Sequence, residues 1–139
     1  MAIVEMTLDS IRHGLLQDDS RAIILKTREG ERYLAIRVGT AEADSISLKL
    51  QGVSTPRPLT HDLLCTIIHF FGGSVNSVII SDLKENTFYA KLVLNMGKKK
   101  FEIDCRPSDA LALAVRTEAP IFAEEEVIAK AGIPFGAPH

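Results

Sequence analysis

Two stretches of the chain, Tyr33-Leu-Ala-Ile-Arg-Val-Gly-Thr-Ala-Glu-Ala43 and Lys100-Phe-Glu-Ile-Asp-Cys-Arg-Pro-Ser-Asp-Ala110, align at a constant offset. The alignment sets Ile36 on Ile103, Val38 on Cys105, Glu42 on Asp109 and Ala43 on Ala110. Each stretch reads as the end of a hairpin feeding a helix of small residues whose first turn carries an acid. An ancient duplication accounts for the pattern, with independent convergence on the same hairpin–helix unit as the alternative. Either origin gives an α+β fold with a mostly antiparallel sheet, because hairpins dominate and single strands do not alternate with helices.

The remaining elements fit this frame. Residues 3–11 alternate loosely around Ile3, Met6, Leu8 and Ile11. A β-branched run over 21–28, a turn at Glu29-Gly30-Glu31 and a partner over 32–38 make the first hairpin. Ala43, Ile46 and Leu50 then fall at helical spacing. A stiff loop, Gln51 to Leu59 with Pro56 and Pro58, leads to a helix over 60–71, capped by Thr60, with Asp62 in its first turn and Gly72-Gly73 beyond its end. Strands are predicted over 75–83, from Phe88 to Asn95 and over 99–105, with turns at Glu85-Asn86 and Gly97. Pro107 opens a helix to about Arg116. A short Ile121-Phe122 segment and a helix over 124–130 follow. Residues 1–132 read as one domain and 133–139 as a C-terminal tail.

Composition narrows the class. The 139 residues are 46% hydrophobic and 24% charged, ordinary for a globular domain long enough to fold without disulfides or a structural metal. Cys65 and Cys105 share no paired spacing, which suits thiols in a reducing compartment. The apolar runs are too short to span a membrane, and the opening residues carry acids where a leader has a basic segment, so a cytoplasmic protein is expected. A net charge of −2 assigns any polyanion binding to a local basic patch or a bound cation.

Four segments stand out in order: Val38-Gly39 with Ala41-Glu42-Ala43, then Leu50-Gln-Gly-Val53 leading to Pro56-Arg-Pro-Leu-Thr-His-Asp-Leu63, then Phe88-Tyr-Ala90, and finally Asp104 with Arg106-Pro-Ser-Asp-Ala110 and Ala119-Pro-Ile121. Together they resemble the bifunctional nuclease family of bacteria and plants. The resemblance spans roughly residues 3–130. It implies an intracellular protein with nuclease activity on DNA and RNA, here in a minimal single-domain form, and it brings no residue set to place position by position.

Several groups invite chemistry. Strand alternation sends Asp104 and Arg106 to one face at the strand–helix corner, with Asp109 in the helix's first turn. Asp104 and Asp109 suit Mg²⁺ or Mn²⁺, and Arg106 suits a phosphate; the alternative is a latch in which Arg106 and the helix consume both carboxylates. Glu42, the counterpart of Asp109, either converges with it on one site or caps a separate helix. His61 is a candidate general base and Arg57 a phosphate guide, against a reading in which Asp62 serves the helix dipole and His61 is a surface or loop-bonding residue. His61, Cys65 and His69 at i, i+4 and i+8 read as core cysteine and amphipathic histidines rather than zinc ligands. Lys98-Lys99-Lys100 offers nucleic-acid backbone contacts, Lys99 first among them, or a solubilising hairpin tip. No phosphate-binding glycine loop, GxSxG or HExxH is present.

The expected function is metal-assisted phosphodiester hydrolysis of DNA and RNA. The alternative is a non-catalytic protein- or ligand-binding module using the polar sheet face and the Pro-rich loop. A homo-oligomer, most simply a dimer, is expected from the sheet edges.

Overall fold

The computed structural model describes residues 2–13 and 21–134. In chain order the elements are β1 (Ile3–His13), β2 (Arg21–Thr27), β3 (Arg32–Val38), α1 (Thr40–Leu50), α2 (Thr60–Phe70), β4 (Gly73–Lys84), β5 (Thr87–Met96), β6 (Lys99–Cys105), α3 (Pro107–Thr117), β7 (Ile121–Glu124), α4 (Glu125–Ala131) and β8 (Ile133–Pro134). The strands form one sheet in the order β6-β5-β4-β7-β1-β2-β3-β8. Every pairing is antiparallel except β4 with β7. The fold is α+β, as the hairpin-rich sequence predicts.

The short Ile121-Phe122 segment holds the centre of this sheet. β7 pairs on one side with Ile3 to Met6 of β1 and on the other with Val78 to Ile80 of β4. Being antiparallel to β1 and parallel to β4, it leaves the meanders β1-β2-β3 and β4-β5-β6 running in opposite senses, as an approximate twofold through the sheet requires. Ile121 and Ala123 are buried there while Phe122 and Glu124 are half-buried, the alternation of a strand with one face on the core.

The repeat is visible in the bounds. β3 with α1 and β6 with α3 occupy equivalent positions at the same offset as the sequence alignment. The first hairpin strands do not share that register: Arg21 faces Val38, whereas Cys105 faces Ala90 rather than Phe88. The cause is a tighter turn in the second unit, where Gly97 takes φ +63° and Met96 already faces Lys99. The slip is even, so each side chain keeps its face of the sheet. A single offset over the whole hairpin–helix unit, residues 21–50 against 88–117, as a simple duplication predicts, is therefore not found; the offset holds from β3 and β6 onward.

The core lies between the sheet and the helices, built on Ile23, Leu34, Ile36, Ile46, Ile80 and Leu111. α3 is buried along most of its length, whereas Ala43 and Ile46 bury α1 and Leu50 stays exposed. The predicted tail begins differently: Ile133 pairs with Tyr33 as part of β8 and packs on a second small cluster of Ala22, Ile24 and Tyr33. The cap of α2 also differs. Leu59 is the N-cap, Thr60 is already helical, and Asp62 Oδ2 accepts the Leu59 N–H at 2.8 Å. Among the described residues no helix is long and apolar enough to cross a membrane.

Because β7 joins the two meanders, they unfold together. Ile80→Ala, at a fully buried position of β4, is expected to cost about 2–5 kcal/mol. Urea titrations followed by far-ultraviolet dichroism and by tyrosine fluorescence should shift as one transition; separated midpoints for the two probes would show independent halves.

Candidate functional site

α1, α2 and α3 each begin beside the same cleft. Glu42 and Ser45 come from the first turns of α1, Leu59 to His61 from the start of α2, and Arg106 and Asp109 from the start of α3; together they line a cavity of about 370 Å³. Glu42 and Arg106 also border an adjoining cavity of about 440 Å³ between β3 and the start of α3. The duplicated acids thus converge, and the separate-caps reading of Glu42 is corrected. The reason is topological: equivalent hairpins deliver equivalent helices onto the same face of the sheet from opposite ends.

A continuous set of hydrogen bonds stitches the three helices behind this cleft. The Arg116 side chain is only 6% exposed. Its Nε donates to Asp62 Oδ1 at 2.7 Å, its Nη1 to the Ala112 carbonyl at 3.0 Å, and its Nη2 to Ser45 Oγ at 3.0 Å. Ser45 Oγ lies 2.8 Å from His61 Nδ1, and His61 Nε2 lies 2.9 Å from Asp109 Oδ1. Arg106 closes the chain, donating from Nε to Asp109 Oδ2 at 2.9 Å and from Nη2 to Oδ1 at 3.2 Å.

Proton counting orients the set. Ser45 Oγ accepts from a cation that has only donors, so the Ser45 hydroxyl proton is free to point at His61 Nδ1. The proton on His61 Nε2 then faces Asp109, whose carboxylate can only accept it. Burial opposes ionisation of Asp109, but Arg106 and His61 outweigh it and hold the carboxyl below its ordinary range. The Leu59 N–H and then Arg116 do the same for Asp62. Asp109, with Glu42 beyond it, keeps the Arg106 guanidinium firmly protonated.

The residues singled out by sequence divide into two sets. His61, Arg106 and Asp109 are in direct contact. Asp104 faces Lys91 in the β5–β6 register, on the side of β6 opposite Cys105. Lys99 begins β6, roughly 20 Å of strand away from Arg106. Arg57 stands exposed on the loop leading into α2. His61 spends both nitrogens on Ser45 and Asp109, and Cys65 packs against the core. Burial pushes the Cys105 thiol up to about 11, so it stays protonated. Both oxygens of Asp109 already accept hydrogen bonds, and among the described residues no group of three or more His, Cys, Asp or Glu side chains is disposed around a metal position.

Ser45, Asp62 and Arg116 complete the site, and no catalytic motif in the sequence marks them. The one sequence signal for Arg116 is a lone cation closing an otherwise apolar Ala/Leu/Val helix.

A family model described as the bifunctional nuclease domain matches residues 23–136. Uncharacterized proteins from two strains of Mycobacterium tuberculosis are 45% identical over 111 residues, covering 80% of this chain and 66% of theirs. A protein of Oryza sativa named bifunctional nuclease 1 is 27% identical over 117 residues, covering 81% of this chain and 35% of its own length. The chain thus spans just under two thirds of the mycobacterial relatives and about a third of the rice protein.

The two arginines should behave differently when removed. Arg116→Met leaves the buried Ser45 and the partly buried Asp62 without their cation and is expected to cost about 3 kcal/mol. Arg106→Met removes a largely exposed guanidinium and should cost about 1 kcal/mol or less. Because the Asp62 and Asp109 carboxyls are held below their unfolded values, their stabilisation is complete above about pH 4 and is lost as pH falls through the lower folded values. Thermal melts from pH 6 to pH 2 should show a shallower acid decline in Arg116→Met than in wild type; an unchanged slope would place the acid sensitivity elsewhere.

Proposed function

The chain belongs to the bifunctional nuclease domain family, and from that premise we propose that it hydrolyses phosphodiester bonds of DNA and RNA at the cleft shared by α1, α2 and α3. The observation that carries this reading is Arg106, an exposed guanidinium beside a histidine–carboxylate pair at the mouth of the cavity. Arg106 holds Asp109 with two parallel bonds, the fork geometry that also suits two phosphate oxygens. A phosphodiester entering the cleft competes for that fork. Turning Arg106 onto phosphate places positive charge where the pentavalent transition state gathers negative charge, and it uncovers Asp109.

Water then adds to phosphorus and one P–O ester bond breaks. The proton shed by the water passes to the freed Asp109 carboxylate, with His61 Nε2–H fixing its orientation, and the leaving oxygen takes a proton from solvent. Arg57 on the loop wall and Lys99 farther along β6 are proposed to hold flanking phosphates, which fits their separation from Arg106 better than contact with the reacting phosphate. The saturation of Asp109 also favours a second reading, in which the set is purely structural and the protein is a binding module.

A nuclease assay on DNA and RNA oligonucleotides, with activity tracked across the protein peak in size-exclusion chromatography, separates these readings. Arg106→Ala and His61→Asn are expected to lower kcat/KM by about 10²–10³ while remaining folded. Activity that does not follow the protein peak, or that is equal in both variants and wild type, would leave the binding module. Parallel assays with EDTA and with Asp104→Ala test the cation: loss in both would bring Asp104 into the site with Mg²⁺ or Mn²⁺.

A further inference from the structure

The largest unexplained feature of the molecule lies beside the cleft rather than in it. β6 is an edge strand of the sheet, and α2 runs along the same side. Between them lies an apolar groove of about 470 Å³ walled by Leu64, Ile68, Leu92, Leu94 and Ile103, and its far end reaches His61 and Asp109. The outer surface of α2 is apolar as well. Leu63, Ile67 and Phe70 form one stripe at i, i+4 and i+7, and Leu64, Ile68 and Phe71 form the next. Phe70 is 80% exposed, Phe71 71% and Phe101 48%, and the two adjacent rings sit edge to face at 5.6 Å between centroids.

Area decides that this is an interface. At about 200 Å² per aromatic side chain, the three phenylalanines leave on the order of 400 Å² open. Leu63, Leu64, Ile67 and Ile103 raise the total to roughly 700 Å², above the largest apolar patch of a typical monomer and close to the ~800 Å² each partner gives a standard interface.

Charge decides the partner. β6 carries Lys99 and Lys100 at its start, Glu102 at its middle and Asp104 near its end. Turned antiparallel on itself about Glu102, the strand sets Lys100 of each copy against Asp104 of the other and Phe101 against Ile103. Glu102, which meets its own copy at the axis, is partnered within its chain by Lys91 at 3.3 Å. A basic-to-acidic gradient along an edge is self-complementary only in this antiparallel sense.

We propose that β6 and the outer face of α2 form a twofold self-association surface: two copies pair β6 antiparallel about Glu102, join their sheets and cover the α2 stripes. The inference does not rest on the nuclease reading. Its consequence for the cleft is steric, since the covered groove ends at His61 and Asp109.

Sedimentation equilibrium at micromolar concentration should return twice the 15.2 kDa of one chain. The double variant Phe70→Asp/Ile103→Lys changes only exposed positions and should return a monomer with unchanged far-ultraviolet dichroism. Glu102→Cys places two thiols across the axis at a Cα separation a disulfide can bridge, so mild oxidation should give a cross-linked dimer that wild type, with Cys65 and Cys105 alone, does not form. A wild-type mass equal to that of a single chain, a dimer that survives the double variant, or a Glu102→Cys protein that stays uncross-linked would each overturn the proposal.

Discussion

The buried guanidinium of Arg116 is the interaction on which the candidate site depends. A cation that deep must be surrounded by acceptors or it costs several kcal/mol. Here the acceptors come from three helices: Asp62 from α2, Ser45 from α1 and the Ala112 carbonyl from α3 itself. Satisfying one charge therefore fixes the starts of α1 and α2 against the C-terminal half of α3. It also fixes the Ser45 hydroxyl, which fixes the His61 tautomer, which fixes the Asp109 carboxylate. Among the described residues no buried side-chain polar atom is left without a partner, so the set holds as a unit.

Much of the fold is legible in the sequence because the signals are local. Turn glycines, alternation over Phe88 to Asn95 and the Pro107 helix start are each written within a few residues, and element types follow from them. The place of Ile121-Phe122 is not legible, because its partners, Val78 and Ile79 in β4 and Glu5 and Met6 in β1, are remote along the chain. The site divides in the same way. Arg106 and Asp109 stand at i and i+3 on one helix start and can be paired by spacing. Ser45, His61 and Arg116 meet only through packing of separate helices, and no short-range pattern marks them. Strand alternation groups Asp104 with Arg106, but the strand ends at Cys105 and Arg106 turns with the helix as its N-cap.

The two repeats have diverged at the residue that matters most for the cleft. Where the second unit has Arg106 at the helix N-cap, the first has Gly39. A Cβ at Gly39 would collide with the Glu42 carboxylate, so the glycine leaves room for that acid to fold back toward the helix start. One unit thus presents an acid over a glycine cap, and the other an acid held by its own arginine. Two equivalent scaffolds carry unequal charge, and the asymmetry gives the cleft a polar direction.

The central position of β7 bears on how the chain is made. Synthesis delivers β1 and β4 first, each with one side lacking its native neighbour, and the strand that fills the gap is encoded after both. Until residues 121–124 emerge, Ile3 to Met6 of β1 and Val78 to Ile80 of β4 lack the strand that pairs with both at the middle of the sheet. Truncations before Ile121 remove the element that turns two sticky halves into one sheet, and they should aggregate rather than yield a smaller folded domain.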